Sequence, residues 1–252
     1  MCLVRNAPAH GAQVGKTFVG TAVGGFACPP IPDFGIPMLE GLLQCKLQLI
    51  PNLSYWELKP KFDTRNVGDV AVEWSPQCLM VANSEFCDDL LFHGNRRSYD
   101  RFLELTGMRG RVVFFCMYDS GGNYGFSMFE DGRAIRHRLH SIGFPRTLSI
   151  MHGKPLTVEQ SWLPAVLTDE ESQEYGPEEY EALFRHRENR RLVGEQGLNK
   201  VLVDTVLENE FGFSLENGPI NGQKFQGQNY RAIPETQAKL EQPLPWWRRI
   251  IR

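Results

Sequence analysis

The sequence predicts an α+β domain: a mainly antiparallel sheet covered by helices, with an irregular N-terminal arm and a C-terminal tail. Three observations carry this reading. Short β-like runs recur from Cys45 to Ser141, an Asp131-Gly132 dipeptide joins two of them, and helical patterns that stop at glycine lie near 84–106 and 177–212. The arm occupies residues 1–40, the α+β domain 41–217, and a polar linker with a Trp/Arg tail 218–252.

Taken in order, the arm is rich in Gly and Pro, with Pro29-Pro30, Pro32 and Pro37 close together and little hydrophobic periodicity. The runs 46–50, 55–58, 70–74 and 78–81 then alternate like strands between Pro, Gly and Asn breaks. Residues 84–92 and 98–105 read as helices, the second opening at a Ser98 cap and stopping at Gly107. Val112 to Tyr118 is continuously apolar, as a strand buried on both faces must be. A turn at 119–123 leads to two strand-like runs, 124–130 and 133–139, and Asp131-Gly132 between them is strong hairpin chemistry. A two-residue loop pairs Met128 with Ile135, Phe126 with His137 and Tyr124 with Leu139 on one apolar face. Ser127, Arg136, Arg138 and His140 then share the other. Further on, acidic residues from Asp169 to Glu181 precede Arg185, Arg187, Arg190 and Arg191, a charge order that suits a helix dipole. Leu198, Val201, Leu202 and Leu207 stripe a second helix closed by Gly212.

Composition narrows the function classes. With 42% hydrophobic and 23% charged residues the chain is globular in character, and a formal net charge of −3 supplies no field for non-specific nucleic-acid binding. No stretch approaches the roughly 20 apolar residues of a membrane span. The six cysteines form no C-x-x-C pair, which argues against a zinc knuckle and favours a reducing cytoplasm. A lesser alternative is an exported lipoprotein lipidated at Cys28, after the weakly apolar run 18–27.

Motifs with chemical meaning are few, and the residues point to no catalytic residue, metal or cofactor. Gly11 to Thr17 resembles a phosphate loop with one residue too few between the glycines and no strand before it. His137 and His140 stand three apart, so a strand sends them to opposite faces and they do not chelate together. His137 is expected as a hydrogen-bonded core histidine. Asp119, Ser120 and Asn123, at a strand end, are the best enzymatic candidates, for a small hydrolase or transferase. Arg136, Arg138 and His140 form a positive stripe on the outer hairpin face, suited to an acidic partner; the plainer reading is a solvated face or pairing with Glu178 to Glu181. In the tail, Trp246, Trp247, Ile250 and Ile251 fall on one helical side and Arg248, Arg249 and Arg252 on the other, a pattern for docking on a partner or a membrane surface.

The run from Arg111 through Tyr124-Gly125-Phe126-Ser127-Met128-Phe129-Glu130-Asp131-Gly132-Arg133 to Ser141, with Phe211-Gly212-Phe213-Ser214-Leu215-Glu216, resembles an uncharacterised family of bacterial cytosolic domains over roughly 70–217. That resemblance implies no established activity. The Pro-Trp-Trp-Arg-Arg ending is similar to tails on proteins found among toxin-immunity and accessory genes. The expected function is therefore a non-enzymatic interaction protein that binds and blocks a protein partner, without specific nucleic-acid contact.

Overall fold

A computed structural model describes residues 22–50, 62–143, 147–168, 171, 182–220, 222 and 224–233. Nine strands form one sheet: β1 (Ala22–Cys28), β2 (Leu47–Ile50), β3 (Asp69–Trp74), β4 (Leu79–Ala82), β5 (Arg111–Tyr118), β6 (Asn123–Glu130), β7 (Arg133–Ile142), β8 (Thr147–Gly153) and β14 (Gln226–Ala232). Their order is β2-β14-β3-β4-β1-β5-β6-β7-β8, and every neighbouring pair is antiparallel. A small second sheet joins β9 (Trp162–Pro164), β10 (Leu183–His186) and β11 (Leu192–Gly194), and β12 (Phe213–Ser214) pairs with β13 (Gly218–Pro219). The helices are α1 (Ile36–Leu43), α2 (Asp88–His93), α3 (Arg97–Thr106), α4 (Thr157–Gln160) and α5 (Glu195–Phe211).

Alternation along the strands divides the core in two. Phe26, Val81, Phe114 and Leu139 share one buried cluster with Leu39 of α1, Leu90 of α2, and Tyr99 and Phe102 of α3. Edge-to-face contacts join Phe26 to Phe102 at 5.1 Å between centroids, and Tyr99 stacks on Phe129 at 3.8 Å. The other cluster holds Val113, Phe115, Phe126 and Met128 with Leu198, Leu202, Val206 and Phe211 of α5. Gly107 and Gly212, both left-handed, end α3 and α5 as expected and return their N–H groups to Leu103 and Glu208.

Four sequence expectations change. Residues 22–28, read within an irregular arm, form a strand near the middle of the sheet. There Gly25 is required because a Cβ would lie 2.0 Å from the Val81 carbonyl oxygen. The polar stretch after 218 contributes β14, seven residues paired on both sides. Around 183–194 the chain makes a hairpin instead of a basic helix end, turning at Arg190 (φ 61°) with the Asn189 side chain accepting from the Arg191 amide. Finally, α3 starts at Arg97 with no side-chain cap; Asn95 Oδ1 accepts from the Arg97 N–H in place of the expected Ser98 cap. The strand expected at 55–58 and the acidic residues Glu178 to Glu181 lie outside the described residues.

Candidate functional site

The β6–β7 hairpin turns at Asp131 (φ 48°) and Gly132 (φ 85°), with Glu130 opposite Arg133, so the two-residue loop is as expected. Its register is not. A bulge between Met128 and Phe129 leaves Ile135 without a facing residue, and Met128 lies opposite Arg136, Phe126 opposite Arg138 and Tyr124 opposite His140. One extra residue exchanges the faces of everything after it. Arg136, Arg138 and His140, expected on an outer stripe, are buried on the side of α5.

Burial of two guanidinium groups demands partners, and Glu159 on α4 supplies them. Arg136 grips its carboxylate bidentately, Nε to Oε2 at 2.8 Å and Nη2 to Oε1 at 2.6 Å, and also donates to the carbonyls of His152 and Gly153. Arg138 donates to Glu159 Oε1 at 3.2 Å and to Asn199 Oδ1 at 2.7 Å, while Asn199 bonds back to the Glu195 carbonyl of its own helix. The Leu156 N–H completes the carboxylate at 2.8 Å. Burial lowers the Arg138 pKa from its usual value, and Glu159 opposes that shift. The network ties β7, α4 and α5 together.

Beside it lies a cleft of about 530 Å³, bounded by residues 154–158 and the C-terminal half of α5. Its apolar lining comes from Met128, Ile135, Pro155, Leu156, Val158 and Val206. Arg111, Lys154, Thr157, Asn209 and Glu210 provide its polar groups. Arg111 is already committed, to both oxygens of Glu210 at 2.8 Å and to Glu130 at 2.8 Å. Lys154 is exposed and has no partner among the described residues. The bulge thus does two things, turning Arg136 toward Glu159 and leaving Ile135 in the cleft lining. Nothing in the hydrophobic pattern marks that insertion, so sequence reasoning missed both the network and the cleft.

The 119–123 turn is a clamp. Asp119 accepts from the Tyr124 hydroxyl at 2.7 Å and from Lys200 at 3.2 Å, and Lys200 also pairs with Glu216 at 2.9 Å. Burial and the Asp119 bond push the Tyr124 hydroxyl up to about 12, so it stays protonated. Ser120 is exposed, and Asn123 accepts the Ser141 hydroxyl, an amide being unable to take its proton. A Ser–His contact exists elsewhere: Ser127 Oγ meets His137 Nδ1 directly across the strands. Ser127 is buried and does not line the cleft. Burial, then His152 and Arg136, hold the His137 imidazole down to about 4, a weak base at neutral pH. His137 and His140 do fall on opposite faces, as their spacing requires.

Cys28, Cys45, Cys78, Cys87 and Cys116 are all buried and unbridged, and burial raises each thiol pKa. For Cys87 the adjacent Asp88 carboxylate adds to that shift. Among the described residues no group of three His, Cys, Asp or Glu side chains is arranged to hold a metal, and no helix is long and apolar enough to cross a membrane. Trp246, Trp247, Arg248 and Arg249 lie outside the described residues. The chain matches no protein-family model, no curated protein and no solved structure.

Proposed function

We propose that this is a non-enzymatic interaction protein that binds and blocks a protein partner, as immunity and accessory proteins do, through the cleft between α5 and residues 154–158. The observation that carries the proposal is the lining itself: among the described residues, apolar side chains of Met128, Ile135, Pro155, Leu156, Val158 and Val206 beside the uncommitted cation Lys154. Such a surface suits an apolar anchor flanked by an acidic residue on the partner. The titratable groups there also favour binding over chemistry, since Arg111 occupies both oxygens of Glu210. In this reading Arg136 and Arg138 do not touch the partner; they hold the cleft wall through Glu159. The tail residues Trp246, Trp247, Arg248 and Arg249 provide a second contact, and the protein works in the cytoplasm, in keeping with five unbridged thiols.

A photo-crosslinking amino acid at Thr157, which is exposed on the cleft, tests this in the native host. One discrete protein adduct is expected. Lys154→Glu should reduce it at least tenfold with an unchanged melting temperature, and deletion of residues 246–252 should weaken it further. No adduct, or an adduct indifferent to Lys154→Glu, overturns the cleft as the binding surface.

A further inference from the structure

A second cavity, of about 300 Å³, lies on the other face of the sheet, between the chain entering α1 and strands β3, β4 and β14. Alternation places its sheet wall: Val72 and Trp74 are two apart on β3, with Gln228 opposite Val72 and Leu79 opposite Trp74. Three aromatic side chains line it, Phe34, Trp74 and Tyr230, over aliphatic Leu39, Val72 and Leu79. Its neutral polar side chains are engaged within the protein. Tyr230 donates its hydroxyl to Gln228 Oε1, and Ser75 Oγ accepts from the amides of Gln77 and Cys78 at 3.2 and 3.1 Å.

Among the described residues Asp33 is the only charged residue in the lining, and none of them pairs with its carboxylate. Its backbone is left-handed, φ 56°, a conformation unusual for a non-glycine residue and one that fixes where the chain leaves the sheet for α1. Aromatic rings attract cations through their negative faces, and a carboxylate adds Coulombic attraction. A volume near 300 Å³ is at the small end for a ligand site.

We propose that this cavity binds a small organic cation of the quaternary-ammonium class, with Phe34, Trp74 and Tyr230 around the alkylated nitrogen and Asp33 as its counter-charge. Bulky methylated ammonium suits the site better than a metal ion or a protonated amine. Its surface is satisfied by rings and aliphatic walls, whereas a metal needs several oxygen ligands and an N–H cation needs several acceptors.

Titration of the full chain with choline, followed by tryptophan fluorescence and calorimetry, tests the assignment against 3,3-dimethylbutanol, which has the same shape without the charge. Choline should bind at least tenfold more tightly than the alcohol. Asp33→Asn, in an exposed loop, should erase most of that tenfold preference with an unchanged melting temperature, and Trp74→Leu should weaken both ligands. Equal binding of choline and the alcohol overturns the proposal, as does an Asp33→Asn protein with wild-type choline affinity. Absence of choline binding up to about 10 mM, weaker than any affinity of functional interest, does so too.

Discussion

Glu159→Ala is the sharpest test of the buried network. The substitution removes one carboxylate that accepts four hydrogen bonds, from Arg136 Nε and Nη2, Arg138 Nη1 and the Leu156 amide. Charge-assisted bonds contribute roughly 1.5–3 kcal/mol each, a sum near 6–12 kcal/mol if they were independent. They are not independent, because all four end on the same group. Arg136 keeps the His152 and Gly153 carbonyls and Arg138 keeps Asn199, so neither guanidinium is wholly stranded. The cost should therefore fall toward that of breaking one buried ion pair, about 3–5 kcal/mol. Glu159→Gln, which retains an acceptor, should cost less, about 2 kcal/mol. Replacing the triad together, Arg136→Met with Arg138→Leu and Glu159→Leu, should recover much of the loss, because no buried charge then lacks its partner. Urea unfolding at neutral pH measures all of these. A loss under about 1 kcal/mol for Glu159→Ala would mean that water reaches the guanidinium groups, and the burial argument would fail.

Three further outcomes follow from local geometry. The folded His137 imidazole titrates near 4 against 6.5 when unfolded, so acid favours the unfolded chain and stability should drop as pH falls from 6.5 to 4. With partial solvent screening this amounts to about 2 kcal/mol, and His137→Asn should flatten that part of the urea-midpoint profile; identical profiles would refute it. A Cβ at Gly132 meets nothing within 4 Å, so Gly132→Ala should cost only its backbone strain, about 1 kcal/mol, by thermal melting. Gly25→Ala should cost several times more, since its Cβ would meet the Val81 carbonyl at 2.0 Å, and a reversed order would discredit the register of β1. Cys28, Cys45, Cys78, Cys87 and Cys116 should react slowly with a thiol reagent in the native protein and fully on denaturation without reductant. Loss of two or more thiols on denaturation alone would point to oxidation.

Local chemistry was legible in this sequence wherever it involved neighbouring residues. Asp131-Gly132 identified its turn because both positions need positive φ, and Gly107 and Gly212 marked the ends of α3 and α5 for the same reason. The apolar run 112–118 declared a buried strand. Partners distant in sequence were not legible. The strand β14 carries Gln226, Gln228, Asn229 and Arg231, a composition suited to a linker, and becomes a strand only because β2 and β3 flank it from far back along the chain. In β1, Gly24 and Gly25 read as loop residues, yet both are demanded by close approach: a Cβ at Gly24 would lie 2.2 Å from the Tyr118 hydroxyl. Their absence of side chains reports a crowded interior.

The candidate site shows the most consequential failure, and its cause is a single residue. Period-two alternation assigns Arg136, Arg138 and His140 to solvent if β7 runs in simple register from the Asp131-Gly132 turn. Three long polar side chains made that assignment look safe. The bulge at Ile135 reverses it, and the buried Arg136 and Arg138 then need a carboxylate such as Glu159, which arrives on α4, more than 20 residues downstream. A bulge of this kind leaves no mark in the hydrophobic alternation, so the apolar pattern between Arg133 and Ser141 does not reveal the shift. What should have raised the question is the charge imbalance itself. A stripe with Arg136, Arg138 and His140 on an exposed face would stand beside no acidic residue on β6 except Glu130, which Arg111 engages. Arg136 and Arg138, predicted to meet a partner, instead support the wall of the cleft that we propose meets it, through a carboxylate whose significance depends on a contact that only the fold creates.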